Sequence, residues 1–174
     1  VTVVLSEKGW VKAAKGHEID SSSLNYKSGD AFLKDAKGRS NKMAIFLDST
    51  GRAYTLAAHT LPSARGQGEP LTGKINPPSG ATFKAVLMGK PEQRLLMMSD
   101  AGYGFVSRLD NLQSKNKAGK AALSLPKNAE VMHPVVIGSP ETQLLAAVTN
   151  EGRMLVFPVK DLPELAKGKG NKII

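Results

Sequence analysis

The sequence predicts an all-β fold in which a unit of about four short strands recurs along the chain. One observation is a hairpin phrase that is repeated four times, with its turn glycines 42, 51 and 50 residues apart. A period near fifty residues that is made of strands is typical of blade-like repeat proteins. The other observation is that no window shows the 3.6-residue apolar period of a long helix.

Each copy of the phrase is an apolar strand, a polar corner that ends in glycine, and a second apolar strand. Glycine favours a type I turn closed by a left-handed residue, because it lacks the Cβ that would clash there. Asp48, Asp100 and Asn150 precede three of the glycines, and we expect their side chains to cap the turns. The copies span residues 3–11, 45–54, 96–103 and 147–155, with turn glycines at Gly9, Gly51, Gly102 and Gly152.

The chain beyond each hairpin completes the unit. A leucine (Leu61, Leu112 or Leu162) stands ten residues after three of the turn glycines and leads into a loop rich in glycine and basic residues. We predict a third strand after each loop, over residues 71–75, 121–125 and 171–174. A further turn and strand begin at residues 28–32, 79–83 and 127–131. One unit therefore has the strand content and length of a propeller blade.

The units form a single predicted domain over residues 1–174. We place the blades at about 1–42, 43–93, 94–142 and 143–174, the last one truncated, which gives about three and a half four-stranded blades. Neighbouring blades stack because one blade cannot bury its own faces, so we predict an open or broken β-propeller-like fold. The half-unit at the C-terminus and the abrupt N-terminus suggest a chain cut from a longer protein. Two stacked sheets of a sandwich are the alternative architecture.

The composition is strongly basic, with 24 Lys and Arg against 15 Asp and Glu and a net charge of +9. The excess is spread evenly along the chain, which favours a long polyanion over a compact ligand. There is no cysteine, so disulfides and thiolate metal sites are excluded. The longest apolar runs are far shorter than a membrane span requires, so we predict no membrane partner.

The three recurring loops concentrate the basic residues beside glycines. Small residues let the backbone approach a phosphate closely, and lysine suits contacts that ignore sequence. The alternative is that each loop is a solvated turn whose lysines only keep the protein soluble. Because three loops share one structural position, we favour phosphate contact. No basic loop carries an aromatic residue for stacking bases, so duplex is a better match than single-stranded nucleic acid.

Catalytic signatures fail. Residues 68–74 nearly spell a P-loop, but Ile75 stands where Ser or Thr is required, and Pro77 and Pro78 prevent the following helix. The three histidines are isolated and lack ligand spacing. We assign Trp10, Tyr54, Tyr103 and Phe157 to blade packing. The sequence predicts no catalytic residue, no metal site and no cofactor site.

Five stretches of the chain resemble the C-terminal domains of the ParC family, which supplies the DNA-cleaving subunits of bacterial topoisomerase IV. They are residues 3–20 (VVLSEKGWVKAAKGHEID), 48–52 (DSTGR), 61–74 (LPSARGQGEPLTGK), 99–105 (SDAGYGF) and 167–174 (KGKGNKII). The resemblance covers essentially the whole chain. It implies strand-exchanged blades, a β-pinwheel that is typically open. The related gyrase A domain carries a Gln-Arg-Arg-Gly-Gly-Lys-Gly box, of which residues 64–68 are only a degenerate version, so the resemblance favours ParC.

The resemblance also implies that the chemistry lies elsewhere. The cleaving tyrosine of the family belongs to the N-terminal part of ParC, and Tyr26, Tyr54 and Tyr103 have only strand-repeat contexts. The Mg²⁺ and ATP of the full enzyme are used outside this chain. The implied partners are double-stranded DNA, the remainder of ParC and a ParE-type ATPase subunit, with the isolated domain a monomer. The implied location is the cytoplasm, in association with the nucleoid.

We therefore predict a non-catalytic duplex-DNA-binding domain of a type IIA topoisomerase. It would position or bend DNA for strand passage and influence which DNA topology the enzyme prefers. The alternatives are a propeller-type scaffold for an acidic protein partner, and a gyrase A C-terminal domain with a degenerate wrapping box. The predicted DNA contacts are Lys12, Lys15, Arg39, Lys42, Arg65, Lys74, Lys115, Lys117, Lys120, Lys167, Lys169 and Lys172.

Overall fold

The computed structural model describes residues 1–174 and contains strands, turns and five short 3₁₀ helices. None of its helices is long and apolar enough to cross a membrane. The strands are β1 (Thr2–Ser6), β2 (Trp10–Ala14), β3 (Phe32–Lys37), β4 (Met43–Asp48), β5 (Arg52–Ala57), β6 (Glu69–Pro70), β7 (Phe83–Leu87), β8 (Arg94–Met98), β9 (Tyr103–Arg108), β10 (Lys120–Ala121), β11 (Val135–Ile137), β12 (Leu144–Val148), β13 (Met154–Pro158) and β14 (Asn171–Lys172). The 3₁₀ helices are Ser21–Ser23, Ala58–Thr60, Leu71–Gly73, Leu109–Leu112 and Val159–Asp161.

The strands form three four-stranded sheets and one two-stranded sheet. Their orders are β3-β1-β2-β6, β10-β5-β4-β7, β11-β8-β9-β14 and β12-β13. Neighbouring strands within each sheet are antiparallel. The prediction of an all-β fold of four-stranded blades is confirmed, and no sheet closes into a barrel.

Each four-stranded sheet takes one edge strand from the next unit of the chain. The strand β6 follows the second hairpin but pairs with β2 of the first sheet. In the same way β10 pairs with β5, and β14 pairs with β9. The opposite edges are β3, β7 and β11, and β7 contacts both β3 and β1 of the preceding sheet. The sheets therefore stack with like edges adjacent, and the exchanged strands lie on the other side.

The hairpin turns have the predicted form. The four turn glycines have φ between 82° and 88°. Each donates its N–H to the carbonyl three residues earlier, over 3.0–3.1 Å. This hydrogen bond and the left-handed glycine confirm a type I turn closed by a left-handed residue.

The capping residues were predicted only in part. Asp48 accepts hydrogen bonds from the N–H groups of Thr50 and Arg52, as expected. Asp100 caps a different segment, because it accepts from the N–H of Glu130, and the side chain of Asn150 makes no hydrogen bond. The recurrent capping position lies three residues before the glycine. Ser6, Asp48 and Thr149 occupy it and accept from the N–H that follows the glycine.

The third strands are shorter than the sequence predicts. A strand over residues 71–75 is wrong: only Glu69–Pro70 pairs, and Leu71–Gly73 is a 3₁₀ helix. The strands predicted over 121–125 and 171–174 shrink likewise to Lys120–Ala121 and Asn171–Lys172. The pairing ends because the next backbone N–H groups turn to the hairpin glycine. Those of Leu71, Ala122 and Ile173 donate to the carbonyls of Gly9, Gly51 and Gly102.

The hydrophobic core lies between consecutive sheets as three separate clusters. Alternate residues of β4 point to opposite sides: Phe46 packs toward the first sheet, whereas Ile45 and Leu47 pack toward the third. The second sheet is therefore buried on both faces. The leucines ten residues after the turn glycines, Leu61, Leu112 and Leu162, are all buried.

The outer face of the first sheet has a polar cover instead of a neighbouring sheet. The connection between β2 and β3, residues 15–31, folds back over it. Thr2 donates to the carbonyl of Gly16, and Ser6 donates to the Asp30 carboxylate over 2.6 Å. Burial alone would raise the pKa of Asp30, but the bond from Ser6 and those from the backbone N–H groups of Ala31 and Lys8 outweigh it, so that pKa lies below its usual value.

Candidate nucleic-acid interface

Strand exchange brings the three basic loops to one edge of the stacked sheets. These loops are residues 62–68, 114–119 and 166–170, and each leads into the exchanged strand β6, β10 or β14. The second loop abuts the chain that follows β6, where the Asn76 N–H donates to the Lys117 carbonyl over 2.8 Å. The third loop abuts the chain that follows β10, where the Ser124 N–H donates to the Gly168 carbonyl over 2.8 Å. The loops therefore follow one another along a continuous border.

A glycine fixes how closely each loop lies against the preceding sheet. Gly68, Gly119 and Gly170 have φ of 89°, 68° and 80°. A Cβ on these residues would lie 2.5, 2.5 and 2.0 Å from backbone carbonyl oxygens of Val11, Ala53 and Gly104. Only glycine combines this backbone conformation with such an approach. Because the loop backbone lies flush on the sheet, the basic side chains beside these glycines point away from it.

Seven basic residues of the loops and exchanged strands form what we call the basic edge. All are exposed except Lys120, which is half-buried. The three salt bridges of the protein, Lys74–Glu69, Arg94–Glu164 and Arg108–Asp110, include none of them. The basic edge therefore presents positive charge that no acidic side chain neutralises. It consists of Arg65, Lys115, Lys117, Lys120, Lys167, Lys169 and Lys172.

The charge of the basic edge is uneven. Arg65 is the only basic residue of the first loop, and Glu69 follows it in β6. The second and third segments carry three lysines each and no acid. The positive charge is therefore concentrated on the second and third sheets.

The residue after each turn glycine touches the basic edge or its surroundings, a role that was not predicted from the sequence. The Tyr103 ring lies under the Nζ atoms of Lys169 and Lys172, at 4.5 and 5.1 Å from its centroid. The Trp10 ring lies 5.0 Å from the Nζ of Lys27. Both rings are only half-buried, so their assignment to blade packing is wrong. A cation over an aromatic face is weakly held there, which limits where the two lysines of the third segment can point.

Arg52 occupies the same position in the second hairpin and holds the second loop directly. Its Nε and Nη2 donate to the Ala118 carbonyl over 3.1 and 2.8 Å, and Nη2 also donates to the Gly119 carbonyl over 3.0 Å. The planar guanidinium suits such a forked contact. The only sequence signal for these three residues is their shared place one residue after the turn glycine.

Lys12 does not belong to the basic edge. Its side chain is 2% exposed and points into the polar cover of the first sheet. The ammonium donates to the carbonyls of Asn25 and Gly66 and lies 4.2 Å from the centre of the Tyr26 ring. Burial lowers the pKa of Lys12, although Asp30 opposes this shift. The expectation of an exposed phosphate contact fails because carbonyl oxygens already surround this ammonium.

The structure places the other predicted contacts apart from the basic edge. Lys15 is exposed just beyond β2, at the opposite end of the strand from the turn. Arg39 and Lys42 lie in the connection between β3 and β4. Lys74 is half-buried, and its Nζ lies 3.4 Å from a Glu69 carboxylate oxygen.

No constellation for catalysis or metal binding stands beside the basic edge. The structure holds no group of three or more His, Cys, Asp or Glu residues that could bind a metal ion. The three tyrosines have structural contacts. Burial first, and then the nearby Asp35, Asp30 and Asp20 carboxylates, raise the pKa of Tyr26 to about 12. Burial and the hydrogen bond to Asp48 raise the pKa of Tyr54, and Tyr103 lies beneath two lysines.

Comparison with known structures decides the family. The chain is 60% identical to the structure described as the E. coli ParC C-terminal domain, with a TM-score of 0.92, over 99% of this chain and 70% of that one. The chain belongs to the family of ParC C-terminal domains. The family described as "DNA gyrase C-terminal domain, beta-propeller" matches residues 93–137 and 143–174. A DNA gyrase A C-terminal domain, 18% identical with a TM-score of 0.73 over 99% of this chain and 60% of its own, shares the fold.

The full-length relatives are ParC-type subunits of topoisomerase IV. The ParC-type subunit of DNA topoisomerase 4 from Pseudomonas aeruginosa is 60% identical over 174 residues, which is all of this chain and 23% of that protein. The corresponding protein of E. coli K12 gives the same figures. The chain therefore spans about a quarter of the length of the curated relatives it matches.

Proposed function

We propose that this domain binds double-stranded DNA through the basic edge and guides it for a type IIA topoisomerase. The observation that carries the proposal is a row of seven cations without acidic partners, placed by strand exchange on one border of stacked sheets. A row of this kind follows a long polyanion, whereas a compact ligand would need groups that converge on a pocket.

The chemistry of the basic edge favours contact with the DNA backbone. Six of its seven cations are lysines, which act as mobile point charges and suit phosphates of any sequence. The nearby rings of Trp10 and Tyr103 are too few to form a platform for successive unstacked bases, and lysines cover the second. The preferred ligand is therefore duplex rather than single-stranded DNA.

The role in the larger enzyme follows from the family. The domain performs no chemistry; it presents a duplex to the catalytic part of a topoisomerase IV of the ParC type and so influences which DNA topology is processed. Its partners are the remainder of ParC and a ParE-type ATPase subunit, which together use Mg²⁺ and ATP outside this domain. It works in the bacterial cytoplasm at the nucleoid.

Salt titration of duplex binding tests the proposal. Fluorescence anisotropy of a labelled duplex, at salt from about 50 to about 200 mM, gives a log-log slope of about −0.9 for each phosphate contact. We expect the double variant Lys117→Ala/Lys120→Ala to bind more weakly on every duplex sequence and to reduce the magnitude of this slope by about 1 to 2.

The matched control removes the same charge from the opposite edge. Lys34 and Lys37 are exposed on β3, so Lys34→Ala/Lys37→Ala lowers the net charge equally without touching the basic edge. An equal loss of affinity in the control would show that only net charge matters. Absence of duplex binding at low salt would leave the acidic-partner scaffold as the better function.

A further inference from the structure

A cavity of about 510 Å³ lies away from the basic edge, where two connections between sheets meet. The connection between β3 and β4 forms one wall, and the connection between β7 and β8 forms the other. We call this cavity the seam pocket. Its chemistry is set by Arg39, Lys42 and Lys90, by Met43 and Met88, and by the Gln113 amide.

The seam pocket is cationic and has no neutralising partner. Arg39, Lys42 and Lys90 are all exposed, none is in a salt bridge, and no acidic residue lines the cavity. A pocket lined by charge of one sign attracts a ligand of the opposite sign.

Comparison of the repeats shows that this charge is particular to the first seam. The connections between sheets share a glycine at Gly38, Gly89 and Gly138. Three residues after this glycine the second and third connections carry Glu92 and Glu141, whereas the first carries Asn41. The acid that accompanies the other two seams is therefore missing where the three cations gather.

The floor of the seam pocket is apolar and adaptable. Met43 is 48% exposed, and Met88 packs so closely on Gly38 that a Cβ there would lie 2.6 Å from its Cε. Unbranched thioether side chains reshape readily around different apolar groups, which suits them to binding surfaces. Exposed methionine beside unpaired cations provides an apolar contact and a charged rim in one site.

This combination selects the class of ligand. A phosphate alone has no use for the methionines, and a base would need an aromatic face that the pocket lacks. A duplex is broad and presents its phosphates on a convex surface, unlike the concave seam pocket. A peptide that carries carboxylates around a leucine-sized side chain satisfies both the cations and the methionines.

We propose that the seam pocket binds an acidic segment of a partner protein, anchored by an aliphatic side chain. The site is independent of the proposed DNA contacts, because the basic edge contains none of its residues. The domain would therefore hold a protein at the seam and a duplex at the exchanged strands.

The test is a titration with the acetylated, amidated peptide Glu-Asp-Leu-Leu-Asp-Glu, followed by NMR of labelled methionine methyl groups. We expect the Met43 and Met88 methyl signals to shift while those of the buried Met97 and the distant Met154 stay in place. Replacing both leucines of the peptide by serine should weaken binding by about tenfold or more, because burial of a leucine is lost.

Two variants separate this proposal from the proposed function. Arg39→Gln/Lys42→Gln should weaken peptide binding by about fivefold to twentyfold and leave duplex binding intact. Lys115→Gln/Lys117→Gln should do the reverse. The proposal is overturned if the two methyl signals do not move, if the serine peptide binds equally well, or if duplex DNA rather than peptide shifts these methyls.

Discussion

Gly68, Gly119 and Gly170 show how single residues place the basic edge. Each combines a left-handed backbone with a carbonyl oxygen within 2.5 Å of where a Cβ would stand. The sequence indicated that glycines in these loops allow close approach, but it suggested approach to a phosphate. In the structure the close partner is the backbone of the preceding sheet, since strand exchange brings it there.

Substitution of Gly119 by alanine should therefore destabilise the domain. The added methyl would lie 2.5 Å from the Ala53 carbonyl oxygen on a backbone with φ of 68°, so we expect a loss of about 2 kcal/mol or more in the free energy of unfolding. Gly73→Ala is the control, because that glycine has no positive φ and nothing within 4 Å. Urea denaturation measures both, and equal stability of the two variants would contradict this account.

At the scale of elements, a strand of two residues is held by what surrounds it. Backbone pairing with β5 alone would tether β10 weakly, and Arg52 adds three donor contacts to the loop before it. The equivalent positions of the three loops were predicted correctly, because their spacing from the turn glycine is local information. The contact of Arg52 was not predicted, since nothing local says which loop a side chain on another unit will reach.

Arg52→Ala should loosen the second basic loop without unfolding the domain. We expect a loss of about 1 kcal/mol in stability and faster hydrogen exchange at the Gly119 N–H, which donates to the Asn116 carbonyl over 2.9 Å. Arg153→Ala is the matched control, because Arg153 holds the same hairpin position, is exposed, and its side chain makes no hydrogen bond. Unchanged exchange at Gly119 in the Arg52 variant would exclude the clamp.

For the whole molecule, exchange links neighbouring sheets, while burial differs between them. The second sheet is covered on both faces and completed by β10. The fourth sheet has two strands, and its residues Leu144, Val148 and Met154 are at least 60% exposed. Local opening costs least free energy where buried apolar contacts are few.

Native-state hydrogen exchange should show this gradient. We expect amides of β4 and β5 to exchange only through global unfolding, and those of β12 and β13 to exchange through a smaller opening at lower free energy. The comparison needs no variant, because both hairpins have the same turn and antiparallel pairing. Equal protection of the two hairpins would mean that exchange makes the domain a single cooperative unit.

The sequence by itself determined the repeat, the hairpin turns and the charge of the loops. These features depend on neighbours in the chain: a left-handed glycine closes a turn, alternation gives a strand, and lysines beside glycines give an exposed loop. Tertiary structure alone decided that β6, β10 and β14 share one edge, that Lys12 is buried under residues 15–31, and that Asn41 leaves the seam pocket uncompensated. The physical reason is range: a two-residue strand carries too little local signal to choose its partner, so packing between distant units makes that choice.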